Sequence, residues 1–152
     1  MTYAADTSVP IDRSRAEIEA MLSRRGATAF GYAQEGGRAA IMFRLPSCSV
    51  RIELQLPTAK EFAVSERGRS RSQSAQQQAW SQACRARWRA LALAIKAKLV
   101  AVDAGITTVE KEFQADLVLP DGRRVGDVVA DEYRLAVESR GNHGLRLLGG
   151  AS

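Results

Sequence analysis

"ATAFGYAQEGGRAAIMFRL", residues 27–45, decides the fold of this chain. Two strand-like runs flank Gly36-Gly37, the mark of a two-residue hairpin turn in which both central residues take positive φ. Such a turn sets the register: Glu35 opposite Arg38, Tyr32 opposite Ile41, Phe30 opposite Phe43. The large residues of both strands then share one face. Ala29, Gly31, Ala33, Ala40, Met42 and Arg44 share the other. "PSCS" (46–49) turns the chain into "SVRIELQL" (49–56), which alternates cleanly. Val50, Ile52, Leu54 and Leu56 point one way, and Arg51, Glu53 and Gln55 the other. The expectation is a three-stranded antiparallel meander with one strongly apolar face.

That face needs a cover. Upstream, "SRAEIEAMLSRRG" (14–26) has Ile18, Met21 and Leu22 on one helical face and Gly26 at its end. Ser14 and Glu17 have the spacing of a capping box at its start. Downstream, a long helix is predicted from about Ala75 to Val102. Steps of about 100° separate it into three faces. Trp80, Cys84, Trp88, Leu91, Ile95, Leu99 and Val102 form a broad apolar face for the sheet. Ala83, Ala86, Ala90, Ala94, Ala97 and Ala101 form a small-residue stripe that permits close approach of another helix. Arg85, Arg89 and Lys96 form a basic ridge. Gly105 ends this helix. Thr107 with Glu110 reads as a second capping box, opening a short helix through Val109 and Phe113. "LVLPDGRRV" (117–125) is strand, turn and strand. Asp127 is placed as the cap of a last helix with Val129, Tyr133, Ala136 and Val137 on one face. The predicted class is α+β: helix, three-stranded antiparallel meander, long helix packed on the sheet, and a small C-terminal helix and hairpin appendage. One domain spans 1–138 and a flexible tail 139–152. The element order matches the double-stranded-RNA-binding domain, but the lysine-rich helix start and glycine-rich last turn of that domain are missing.

The chain has 152 residues, 45% hydrophobic and 26% charged, as expected of one soluble globular domain. No apolar run approaches the roughly 20 residues of a membrane span. The start, "MTYAADTSVPIDRSR", lacks the basic-then-apolar order of a signal peptide, so a cytoplasmic protein is expected. Charge is unevenly spread. Residues 67–102 hold eight basic and no acidic residues, a charge of +8; the remainder holds 14 basic and 17 acidic, a charge of −3. Of the 22 basic residues 18 are Arg, so part of this excess is compositional. Residues 57–75, "PTAKEFAVSERGRSRSQSA", show no sustained period and are expected as a mobile basic loop. Arg67, Arg69 and Arg71 on the loop, with Arg85, Arg89 and Lys96 on the ridge, are the candidate contacts to phosphates. Arg87 and Lys98 flank the apolar face. Trp80 and Trp88 have the chemistry to stack on bases, but their spacing places both in the core stripe. The expected partner is nucleic acid, DNA or RNA, bound with little sequence specificity. The alternative is a protein-binding module or host-factor inhibitor acting through the long helix, possibly a homo-oligomer.

Signals of catalysis are sparse. His143 lies in a glycine-rich tail, and two cysteines with one histidine fall short of a zinc site. Cys48 and Cys84 are expected reduced and unbridged. "GRSRSQS" (68–74) lacks the Gly-Lys-Ser/Thr ending of a phosphate loop. Glu110, Glu112, Asp116, Asp121 and Asp127 would serve a Mg²⁺ ion only if the fold gathered them. The expectation is no enzyme, no metal and no cofactor. "GATAFGY" (26–32), "GGRAAIMF" (36–43), "QACRARWRALALAIKAKLVAVDAGITTVEKEF" (82–113) and "LPDGRRVGD" (119–127) resemble a family of small proteins encoded by tailed phages and prophages. The similarity spans most of residues 9–128. It implies a phage or prophage setting in a bacterial cytoplasm, and an accessory role toward DNA, RNA or host machinery. It carries over no residue's role.

Overall fold

The computed structural model describes residues 9–140. Gly36 and Gly37 make the hairpin turn with φ of 51° and 82°, both in the region that side chains with a Cβ avoid. The turn joins β1 (Ala29–Glu35) to β2 (Arg38–Arg44), and β3 (Ser49–Gln55) completes an antiparallel sheet of order β1-β2-β3. The pairs are those the turn dictates: Glu35 with Arg38, Tyr32 with Ile41, Phe30 with Phe43. Ala39, Ile41, Phe43, Val50 and Ile52 are buried on one face. The other face, with Ala29, Ala33, Met42 and Arg44, is exposed.

Two helices cover the apolar face. These are α1 (Ile11–Ser23) and α2 (Gln73–Asp103), the latter about 46 Å long at 1.5 Å per residue. They run in the same direction: Arg15 lies over Trp88, Glu17 pairs with Arg89, and Arg25 just past α1 pairs with Asp103. Ile18 and Leu22 of α1, Ile41 and Val50 of the sheet, and Trp88 and Ile95 of α2 are all less than 2% exposed. Each such side chain stabilises the fold by about 1.5–3 kcal/mol, so helices and sheet cohere as one unit. The C-terminal part follows as α3 (Val109–Glu112), a 3-10 turn (Gln114–Asp116) and α4 (Val125–Arg140). Phe113 is fully buried and packs edge-on against Phe43, which ties this part to the sheet. Leu117 bridges Val50 beside β3, and Val118 bridges Arg124 around the Pro-Asp-Gly turn.

Three expected caps are corrected. α1 begins at Ile11 after Pro10, so Ser14 lies one turn inside the helix, 0% exposed, and cannot cap. Glu17 turns outward instead, to Arg89 and Arg13. α3 is capped by Thr108, not Thr107, with the Thr108 hydroxyl accepting from the Lys111 amide. Asp127 lies inside the first turn of α4 and holds Arg124 at 2.9 Å. The expected face of α4 is present in spacing, yet Val129 and Tyr133 are 57% and 69% exposed. α4 touches the rest of the described chain chiefly through the turn Gln114–Asp116. It runs to Arg140, past the expected domain end at 138, and the tail from 141 lies outside the described residues.

Candidate nucleic-acid interface

Residues 57–72 carry local structure. Thr58 and Glu61 form a capping box at a 3-10 turn, Ala59–Phe62. The Thr58 amide and hydroxyl both donate to Glu61, which holds that carboxyl below its usual range. Val64 bridges Ser70, and the Arg69 amide donates to the Ser65 hydroxyl, so Gly68 sits at the tip of a short returning turn. Arg67 and Arg69 at this tip are exposed. Arg71 is not a free cation of the loop. Its guanidinium donates to the carbonyls of Phe62 and Val64, both at 3.1 Å, and pins the turn. Gln76 and Trp80 of α2 hold the near side, donating to the carbonyls of Ala59 at 2.7 Å and Pro57 at 2.8 Å.

The helical ridge lies on the other flank. Arg85, Arg89 and Lys96 fall within about 40° of one another around α2, and Gln76 and Arg87 about 160–180° away from Arg85. Arg89 faces α1 and pairs with Glu17. Lys96 is exposed farther along the same seam, where it lines a pocket with Met21, Arg24, Arg25 and Asp103, the last paired with Arg25. Arg85 is half-buried and donates to Gln82 at 2.6 Å. Arg87 is on the loop side, near Glu61. Lys98 is drawn inward, donating to the Glu112 carbonyl at 2.6 Å and standing 3.7 Å from its carboxylate. The six candidate residues therefore form two clusters on opposite flanks of α2, not one surface. Arg67, Arg69, Arg85 and Lys96 have no carboxylate partner among the described residues.

The two tryptophans differ. Trp88 is fully buried, as the apolar spacing predicts. Trp80 is half-buried and lines a groove of about 430 Å³. Its walls come from Pro10, Ile11, Asp12 and Arg15 of α1, Gln34 at the end of β1, Leu56, and Trp80, Ser81, Cys84 and Arg85 of α2. Arg15 lies across the groove's floor side, its guanidinium 4.4 Å from the centre of the Trp88 ring and 5.1 Å from that of Tyr32. Asp12 stands 4.0 Å from it on the rim, with its side chain 97% exposed. Burial, reinforced by Glu19, pushes the Tyr32 phenol well above its ordinary value, so its hydroxyl keeps its proton and donates to the Arg15 carbonyl at 3.3 Å. Burial also raises the Cys84 thiol against the pull of Arg85 and Arg87, which disfavours the reactive thiolate. Gln77, Gln78, Ser81 and Gln82 continue the polar surface from Arg85 toward the start of α2. Arg15 and Gln34 carry no local signal in the sequence, because only the packing of α1 and β1 against α2 brings them to Arg85.

The carboxylates considered for a metal are dispersed. Glu110 accepts from the Ser47 hydroxyl, Glu112 faces Lys98, and Asp121 holds Arg123. Asp116 and Asp127 surround Arg124 together with Glu53. Burial raises the Asp116 carboxyl despite Arg124 and Lys98. No group of three or more His, Cys, Asp or Glu side chains placed to hold a metal ion occurs among the described residues. Cys48 and Cys84 are free thiols, and His143 lies outside the described residues. Among the described residues no helix is long and apolar enough to cross a membrane. No protein-family model, curated protein or solved structure matches the chain.

Proposed function

We propose that this protein binds nucleic acid, mainly through phosphates and with little sequence specificity, as a non-enzymatic accessory protein of a phage or prophage. The observation that carries the reading is the set of cations left over once the fold has taken its share. Arg71, Arg89 and Lys98 are committed to carbonyls and carboxylates. Arg67, Arg69, Arg85 and Lys96 have no carboxylate partner among the described residues, and they sit in a stretch with no acid from 67 to 102. The N-terminus of α2, which follows the loop directly, has no acidic residue in its first turn, and its amides add a partial positive charge of about half a unit there. Phosphates are bound by lysine and arginine side chains that are not already paired with a carboxylate.

The test is a titration of single- and double-stranded DNA and RNA oligomers against the purified protein at two salt concentrations. Binding is expected to weaken steeply with salt. Replacing Arg67, Arg69, Arg85 and Lys96 together by Ala is expected to abolish it, while Arg71 and Arg89 are left in place because their loss would loosen the fold. Absence of binding at low salt, or binding indifferent to the fourfold variant, overturns the proposal. A second reading, docking of a protein through α2, draws on the exposure of Ala90, Ala94 and Ala97 and of Val100 at 56%. That association would be nearly insensitive to salt.

A further inference from the structure

We infer that the groove between α1, the end of β1 and α2 takes one unpaired nucleotide, its base against Trp80 and its phosphate on Arg85, so that the strand bound is a single one. The inference rests on the nucleic-acid reading and gives it a substrate class. Trp80 and Trp88 are two turns apart on one stripe of α2. The core accounts for Trp88, which is 0% exposed, but not for Trp80, which keeps part of its ring on an open groove. The Trp80 indole N–H is already held by the Pro57 carbonyl at 2.8 Å. The ring is therefore set in orientation before any ligand arrives, and little side-chain entropy is lost on stacking.

The groove's size and chemistry suit the same ligand. About 430 Å³ falls in the range of small-molecule sites and is far too narrow for a duplex. A base within a duplex has both faces covered by its neighbours, so only an unpaired base offers a face to Trp80. Gln34 and Ser81 supply donors and acceptors for the base edge or sugar. Arg85 at the mouth supplies positive charge and has no carboxylate partner among the described residues. Arg15 adds a second guanidinium, whose Nε–H is buried with no acceptor among the described residues. Asp12 is the one acidic lining residue; its side chain is 97% exposed and stands 4.0 Å from Arg15, which offsets its charge. Stacking of this kind tolerates any base, which agrees with binding of low sequence specificity.

The experiment follows tryptophan emission while oligothymidine, and separately a duplex of equal length, is titrated in at low salt. Oligothymidine is expected to quench the emission, and the quench is expected to vanish in Trp80→Phe if Trp88 alone is left to report. Trp80→Ala is expected to lower single-strand affinity roughly ten- to a hundredfold. Arg85→Ala and Gln34→Ala test the same groove without removing a core side chain, so a folding defect in Trp80→Ala leaves two variants to decide. Each is expected to weaken oligothymidine more than duplex. If the wild-type protein binds duplex as tightly as oligothymidine, or if Trp80→Phe keeps the full quench, the groove is not the site. Phosphate binding by Arg67, Arg69, Arg85 and Lys96 would then stand without it. If the wild-type protein binds neither, the inference and the functional reading fall together.

Discussion

Ser14 shows how a short pattern misleads at the scale of one residue. Ser-x-x-Glu is a sound helix-start signal, and the same logic holds at Thr58 and Glu61. At 14–17 the pattern lies inside α1, because Pro10 already supplies a start one turn earlier. The Ser14 hydroxyl is left 0% exposed with no hydrogen-bond partner among the described residues. A buried hydroxyl without a partner costs about 1–3 kcal/mol, and Ala also suits a helix interior better. Ser14→Ala is therefore expected to raise stability by about 1 kcal/mol, or about 2–4 °C in a thermal melt followed by circular dichroism. A lower melting temperature would show that the hydroxyl is satisfied. Asp103 makes a different prediction. A hydrogen bond from Arg25 holds its carboxyl below the ordinary value. A depressed carboxyl contributes stability above its unfolded value and loses it as pH falls through the folded one. The melting temperature of the wild-type protein should exceed that of Asp103→Asn near neutral pH. The gap should close on acidification below about pH 4, and high salt should shrink it because the pair is exposed. A gap that widens in acid would mean the sign is wrong.

At the scale of elements, periodicity carried the reading as far as each element was long. α2 has more than eight turns, so its sheet-facing stripe was legible, and Cys84, Trp88, Ile95 and Leu99 are buried as expected. The hairpin was legible because a two-glycine turn permits one register. What the pattern missed is where α1 would approach. The alanine stripe invites a helix, but Ala90, Ala94 and Ala97 face solvent, and the approach occurs at Ala92, 2% exposed and part of the core with Ile18 and Leu22. An alanine next to an apolar stripe and an alanine within it look alike in sequence; the α1–α2 seam alone separates them. Enlarging each distinguishes them by measurement. Ala92→Leu should overpack the seam and cost about 1–3 kcal/mol. Ala94→Leu should change stability by no more than about 0.5 kcal/mol. Denaturant titrations of the two variants decide it, and equal costs would mean that the stripe at Ala94 is covered too.

For the molecule as a whole, the charge imbalance was legible but its division was not. Which cations stay free depends on acids distant in sequence: Glu17 lies 72 residues from Arg89, and Glu112, whose carboxylate and carbonyl both meet Lys98, lies 14 from it. After those pairings, Arg67, Arg69 and Arg87 remain on the loop flank of α2, and Arg85 and Lys96 on the α1 flank, the last two about 16 Å apart along the axis at 1.5 Å per residue. The helix between the flanks is about 10–12 Å across with its side chains. A stiff duplex resting on one flank would leave the other idle. A flexible single strand that crosses the start of α2 and passes Trp80 meets both. Arg67→Ala with Arg69→Ala, and Arg85→Ala with Lys96→Ala, should then each weaken binding, and their free-energy losses should add within about 0.5 kcal/mol because the pairs share no partner. Each neutralised phosphate of a single strand contributes about 0.7 to the slope of log affinity against log salt. Either double variant should thus flatten the slope by about 1.4. Anisotropy titrations across about 50–200 mM salt measure both quantities. If one double variant removes the whole salt dependence and the other leaves it untouched, the ligand engages a single flank and the crossing path is wrong.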